Sequence, residues 1–316
     1  MDSIGFVGDI HRNTCNLEKA IFVLKERGIK KAIANGDIGE NEKDIAQALE
    51  IMGKSGIEFI IQPGSHEKIK DYEYTINELQ LKYSNLIDAL SNRITKNQDY
   101  HFVFLPGSDF CCGGQYKLTE NIEEGHYLQT EQGLQKLSGY SLLEALGTAS
   151  EGISYLIDMN SIKKTIEEPE KTILICHVPP KFSNLNCIDM AHYGEIMQPF
   201  RLKDGSTYGK GGILPYLHAK ILVNAGAPVL IKKENRGNVT LRKIADELGI
   251  KKGVFNHFHE SSHRANDLQG NKMQMGQFNE EMFWMSGYMA YGHFGILHID
   301  KQKIAYENLS VREKNE

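Results

Sequence analysis

The chain has 316 residues, 41% hydrophobic and 24% charged, with a net charge of −5 when histidine is neutral. That length excludes a disulfide miniprotein and the composition excludes a chain disordered throughout. The mild acidic excess disfavours a protein that coats a nucleic-acid backbone over a broad surface.

Twelve histidines are many for this length and give a first hint of metal chemistry. The five cysteines (Cys15, Cys111, Cys112, Cys176 and Cys187) are odd in number and share no repeated spacing. They make no disulfide framework, so a reduced, cytoplasmic setting is expected. Met1-Asp2-Ser3-Ile4 carries no basic region of a signal peptide, and no run of about 18 apolar residues suggests a membrane span.

In chain order, Ile4 to Val7 is a strand-sized apolar run, and Leu17 to Arg27 carries Leu17, Ala20, Ile21 and Leu24 at helical spacing. Ala32 to Ala34 is a second strand. Lys43 to Met52 is a second helix, with Ile45, Ala48, Leu49 and Met52 on one face, and Glu58 to Ile61 a third strand. This strand and helix rhythm predicts two βαβ crossovers and a parallel sheet. Asp71 to Leu90 reads as a helix, Tyr100 to Leu105 as a strand, Ser161 to Glu167 as a helix and Thr172 to Cys176 as a buried strand. Lys181 to Gly212 is rich in glycine, asparagine and isolated aromatics, and reads as a long functional loop. Pro215 to Val223 and Thr240 to Leu248 read as helices, Gly253 to Phe255 as a short strand, and Phe294 to Ile299 with Lys303 to Leu309 as a hairpin. The charged tail from Arg312 to Glu316 is expected to fray.

The polar residues of interest stand where strands stop. The first three strands end in Gly8-Asp9-Ile10-His11, Gly36-Asp37-Ile38-Gly39 and Gly64-Ser65-His66-Glu67. Thr172 to Cys176 delivers His177, and Gly253 to Phe255 delivers Asn256-His257-Phe258-His259. Ligands of open α/β sheets bind beyond the carboxyl ends of the strands, so these residues converge on one rim. Asp9, His11, Asp37, His177, His257 and His259 form a mixed set of carboxylates and imidazoles suited to Zn, Mn, Fe, Co or Ni. Two divalent metal ions sharing Asp37 would use all six.

The order Asp-x-His, Gly-Asp, Gly-x-His-Glu, His, then His-x-His resembles the calcineurin-like metallophosphoesterase superfamily across residues 9 to 259. The resemblance implies an α/β fold with four α/β/β/α layers, a β-sandwich flanked by helices. Two metal ions would lie between the sheets. It makes Asp9, His11, Asp37 and His259 ligands of one ion, Asp37, His177 and His257 ligands of the other, and His66 the catalytic histidine. The implied activity is hydrolysis of a phosphomonoester or phosphodiester by a metal-activated hydroxide. A single domain over 1–316 is expected, with substrate-specificity insertions near 108–170 and 181–212. Within them, Cys111-Cys112-Gly113-Gly114 and Asp189 to Gly194 are candidates to overhang the metals, and His192 to reach a substrate.

Two positions depart from the pattern. Ser65 stands where asparagine is usual; it is a candidate substrate-binding residue that weakens the second metal. Asn256 stands where glycine is usual and reads as a turn element. Glu67 is expected either to orient His66 or to cap the next helix, and Arg12 to be solvated. A phosphate-ester substrate is the expected partner; nucleic acid is not indicated. Asp37-Ile38-Gly39-Glu40-Asn41 departs from the Asp-x-x-Asp-Arg-Gly of protein Ser/Thr phosphatases, which disfavours them. His259-Glu260-Ser261-Ser262-His263 also fits the His-Glu-x-x-His zinc-protease pattern, but two serines suit a helix interior poorly. The remaining alternatives are a nuclease and a non-catalytic scaffold of the same fold.

Overall fold

A computed structural model describes residues 1–109, 113–148 and 150–311. Cys111, Cys112 and the tail from Arg312 lie outside the described residues. The chain begins with β1 (Asp2–Val7), α1 (Thr14–Glu26), β2 (Lys31–Asn35), α2 (Glu42–Lys54), β3 (Glu58–Gln62), α3 (Ile69–Lys82) and β4 (Leu86–Asp88). Next come β5 (Ile94–Lys96), β6 (His101–Leu105), β7 (Tyr116–Thr119), β8 (Gly125–Thr130), β9 (Gly133–Leu137), α4 (Gly139–Thr148), β10 (Ile153–Asp158) and β11 (Thr172–Cys176). Then follow β12 (Met190–Ile196), β13 (Phe200–Arg201), β14 (Thr207–Tyr208), β15 (Ile213–Pro215), α5 (Tyr216–Asn224) and β16 (Val229–Asn235). The chain closes with α6 (Val239–Leu248), β17 (Lys252–Phe255), β18 (Ala265–Asn266), β19 (Met282–Met285), β20 (His293–Asp300) and β21 (Lys303–Ser310).

Two six-stranded sheets carry the fold, in the orders β21-β20-β1-β2-β3-β4 and β18-β19-β17-β11-β6-β5. Strands β1 to β4 pair in parallel, and β20 and β21 add an antiparallel hairpin at one edge. In the second sheet β6, β11, β17 and β19 are parallel. Side chains alternate between two cores, as period-two geometry requires. Ile4, Phe6, Ile33 and Ile60 of the first sheet share an apolar cluster with Phe102, Phe104, Ile173, Ile175, Val254 and Trp284 of the second. That cluster is the layer between the sheets, and the edge-to-face contact of Phe6 with Trp284 crosses it at 5.7 Å.

The intervening residues turn outward onto helices. Ala32, Ala34, Phe59 and Ile61 join Leu17 and Leu24 of α1 and Ile45, Leu49 and Met52 of α2, while Leu174, Phe255 and Phe283 join Leu241 and Ile244 of α6. Sheets covered on both faces read as continuous apolar runs, which is why these strands were visible. Asparagines start the helices: Asn13, Asn41 and Asn238 each accept a backbone N–H of the first turn. Among the described residues no helix is long and apolar enough to cross a membrane.

The expectations fail where one face of a strand is polar. The helix expected over Asp71 to Leu90 stops at Lys82, and the chain turns at Tyr83 into β4. Ser161 to Glu167 holds no α-helix; the segment Met159–Lys164 is a 3₁₀ turn. Residues 116–158 contribute a four-stranded sheet, β7-β10-β8-β9. Lys181 to Gly212 is not simply a loop, since β12 pairs with both β15 and β16 and its small core, including Ala219 and Leu222 of α5, lies against one side.

Trp284 is fully buried between the sheets, so truncating it leaves a cavity that the rigid layers cannot close. Trp284→Ala is expected to lower unfolding stability by about 3–5 kcal/mol, read from chemical denaturation monitored by far-UV circular dichroism.

Candidate metal centre

Because β1, β2 and β3 run parallel, as do β11 and β17, each sheet brings its strand carboxyl ends to one rim. The loops there are cross-tied: Asp9 N donates to Gly36 O at 3.1 Å, and Ile10 N and His11 N both donate to Asp37 O. Four of the six expected ligands adopt left-handed backbone, with φ of 52° at Asp9, His11 and Asp37 and 79° at His257. Non-glycine residues seldom sit there, and such strain is held where the surroundings fix the chain.

The structure brings all six expected ligands together. Donor atoms of Asp9, His11 and His259 lie within 4.8 Å of one another, as do those of Asp37, His177 and His257; a third such group joins His11, Asp37 and His66. His177 Nε2 stands 3.2 Å from Asp37 Oδ2 and 3.8 Å from Asp9 Oδ1, and His259 Nε2 stands 3.5 Å from Asp9 Oδ1. Asp9 Oδ1, His11 Nε2 and His177 Nε2 are buried without a hydrogen-bond partner among the described residues. Such orphaned buried atoms are costly unless something else occupies them. They are donors of the kind that divalent cations take, so the site fits a metal.

The other faces of these groups are satisfied. His177 Nδ1 is 2.9 Å from Asn35 O, which turns Nε2 to the rim. Asn256 donates to Asp9 Oδ2 at 3.0 Å and to Gly287 O at 2.7 Å, and accepts from Asn35 and Ser286. It is a buried hub joining both sheets rather than a turn element. Tyr288 stacks on His259, with ring centroids 3.7 Å apart and planes 4° from parallel.

Charge in this buried space sets protonation. Burial raises the Asp37 carboxyl, but His177 and the neighbouring imidazoles outweigh it and hold it well below its ordinary range. Asp9 is likewise held low, burial being overcome by His259 and His177. Burial lowers His177, yet Asp37 and Asp9 push it up to about 10, whereas burial and cationic His177 push His257 down to about 3. A cation arriving at the rim would displace the proton on His177.

His66 sits at the edge of the rim, its Nε2 3.9 Å from Asp37 Oδ2. Its Nδ1 lies 2.9 Å from Glu40 Oε2, while the other Glu40 oxygen lies 2.7 Å from His11 Nδ1. Burial lowers His66, but Glu40 outweighs it and raises the imidazole to about 9. Sequence reading missed Glu40, although a carboxylate three residues beyond Asp37 in the same strand-end loop was a usable signal. No sequence signal foretold Tyr288.

Glu67 does neither of the things expected of it. Its buried carboxylate accepts Gly64 N at 2.8 Å and Ile38 N, joining the second and third strand-end loops, while α3 follows Lys68, whose side chain makes no capping bond. Ser65 is buried, and its Oγ donates to Asp37 Oδ2 at 2.9 Å, with Ser65 N donating to Asp37 Oδ1 at 2.5 Å. Arg12 is exposed, 3.6 Å from Asp44. His192 and Tyr193 line a cavity that also reaches His66 and His257, whereas Asp189 is buried and accepts Phe182 N and Gly237 N. His259 to Ser261 form one 3₁₀ turn, and His263 turns away to Phe294 O, so the zinc-protease pattern has no helix to present it. His101, His126, His218, His293 and His298 contact Glu168, Glu73, Tyr208, Ser262 and Ser3 respectively.

No protein-family model and no curated protein matches the sequence. Among solved structures, the protein TT1561 of Thermus thermophilus is similar over 98% of this chain and 99% of its own, at 12% identity and a TM-score of 0.51. The sandwich, its rim and the ordered motif residues now stand together. At that identity the likeness is one of fold. A dimetal phosphatase from Danio rerio is similar over 98% of this chain and 99% of its own, with 10% identity and a TM-score of 0.46. A phosphopantetheinyl hydrolase from Mycobacterium tuberculosis is similar over 91% and 90%, with 10% identity and a TM-score of 0.41.

Within this fold Gly36 is fixed by close approach. Its φ is +82°, and an added Cβ would collide with the His177 ring, lying 2.8 Å from Cγ. Gly56 has a similar φ of +76° with open space around it. Gly56→Ala should cost about 1 kcal/mol from backbone strain alone. Gly36→Ala should cost more and reduce metal uptake, as read from thermal melts and metal analysis of both variants.

Proposed function

We propose that this chain is a metal-dependent phosphoesterase acting on phosphomonoesters or phosphodiesters through a dinuclear centre. The observation that carries the reading is the set of buried, unpartnered donor atoms of Asp9, His11 and His177 gathered around Asp37. Asp9, His11, Asp37 and His259 would hold one ion; Asp37, His177 and His257 would hold the other. Divalent ions in such a site neutralise phosphoryl oxygens and lower the pKa of water so that hydroxide is available near neutral pH.

The remaining work falls to the protein. In hydrolysis, the oxygen of water bonds to phosphorus as the ester P–O bond breaks, and the electron pair of that bond stays on the alcohol oxygen. His66, held through Nδ1 by Glu40, would give a proton from its Nε2 to that oxygen. The proton lost by water goes to solvent, from which His66 recovers its own. Ser65 supports Asp37 through a hydrogen bond and offers no carboxamide to an ion or a phosphate, so the second ion is the weaker one.

Protein supplied with Mn or a similar ion should retain roughly one to two ions per chain and hydrolyse chromogenic phosphoesters. His66→Ala should keep its metal while turnover falls by about 100-fold. Protein that retains no metal and turns over no ester would overturn the reading, and full turnover by His66→Ala would overturn the role of His66.

Ser65→Asn supplies the missing carboxamide. It should shift the activity curve to about 10-fold lower metal concentration, roughly 1.4 kcal/mol. A curve that coincides with the parent, or moves the other way, would sink the weak-ion assignment.

A further inference from the structure

The rim opens on its His66 and His257 side into a cavity of about 430 Å³. Its walls come largely from the β12 and β15 ribbon, through Tyr193, Ile213 and Leu214, and from Phe258 in the last motif loop. Register puts Tyr193, Ile213 and Pro215 on one face of the ribbon, because Tyr193 stands opposite Pro215 and Glu195 opposite Ile213, while the Leu214 side chain, opposite Gly194, turns into the small core with Ala219 and Leu222. Arg236, at the edge of the cavity, spends its guanidinium over the Tyr193 ring, 5.2 Å from its centroid. Most of the cavity's exposed lining is apolar, although His192, Arg236 and Glu260 also contribute, and the cavity ends on the imidazole assigned to the leaving oxygen. A separate cavity of about 300 Å³ starts from His259 and does not include His66.

We propose that the cavity between the β12 and β15 ribbon and the metal rim binds the leaving group, and that the preferred substrates are phosphate esters of apolar alcohols. This rests on the phosphoesterase reading and narrows its substrate class. An alcohol oxygen within reach of His66 directs its carbon chain along Tyr193, Ile213 and Phe258, where each methylene removed from water favours binding. A leaving group polar along its whole length would lose its hydration against that apolar wall.

The test compares n-alkyl phosphates from methyl to hexyl, whose leaving alcohols have similar basicity, with 4-nitrophenyl phosphate as the reference substrate, all with metal-loaded protein. kcat/KM is expected to rise about 3- to 4-fold per methylene until the cavity is filled. Ile213→Asp, at a position 55% exposed and so tolerant of change, should flatten that slope. Turnover of the reference with no dependence on chain length would overturn the leaving-group assignment and leave the phosphoesterase reading standing. A slope unchanged in Ile213→Asp would also overturn it, by placing the selectivity elsewhere. No hydrolysis of any ester would overturn both.

Discussion

One buried carboxylate organises the centre. Asp37 is 1% exposed, so its charge needs donors on every side. Ser65 N, Ser65 Oγ and His66 N supply hydrogen bonds from the third strand end, and His177 faces it from the opposite sheet. Glycines at 36 and 64 leave room for those groups to approach, since a Cβ at Gly64 would sit 2.5 Å from Asp37 Oδ1. Glu67 then fixes the two loops to each other by accepting Ile38 N and Gly64 N. Removing any one of these leaves a charge in a low-dielectric space with too few partners, which is why the arrangement is so closely interlocked.

Beneath the rim the sheets are joined by amides. Gln62 donates to Asn35, Asn35 donates to Cys176 O and to Asn256, and Asn256 reaches Asp9. The first pair lies at the ends of β3 and β2, and Cys176 and Asn256 lie at the ends of β11 and β17. A buried hydrogen-bond network is directional where an apolar core is not, so it sets how the two sheets register against each other. The spacing between Asp37 and His177, which come from different sheets, depends on that registration.

Legibility followed burial. Strands covered on both faces, such as Lys31–Asn35 and Thr172–Cys176, appear as short apolar runs with their polar termini in plain view, and those termini are the rim. Met190–Ile196 and Val229–Asn235 interleave histidine, glutamate and lysine with their apolar residues, so their pairing has no continuous apolar signature. Met282–Met285 is short and follows a polar stretch, and its burial comes from distant strands. Within the site, motif order identified the groups that meet at the rim but not the residues that hold them. Asn256 and Glu67 act through backbone and side-chain partners far away in sequence, which spacing does not encode. Asp9, His11, Asp37, His177, His257 and His259 stand on one rim.

The left-handed turns at Asp9, His11, Asp37 and His257 bear on how this centre can change over time. A replacement at any of them passes two filters, one for a donor atom and one for a backbone that most side chains avoid. Asparagine and aspartate enter that region most easily among residues with a Cβ, and valine or isoleucine hardly at all. Drift at these positions is thereby channelled toward short polar residues. A descendant that loses its chemistry by such steps would keep the shape of its rim, and an inert relative could preserve the fold long after its donor set has thinned.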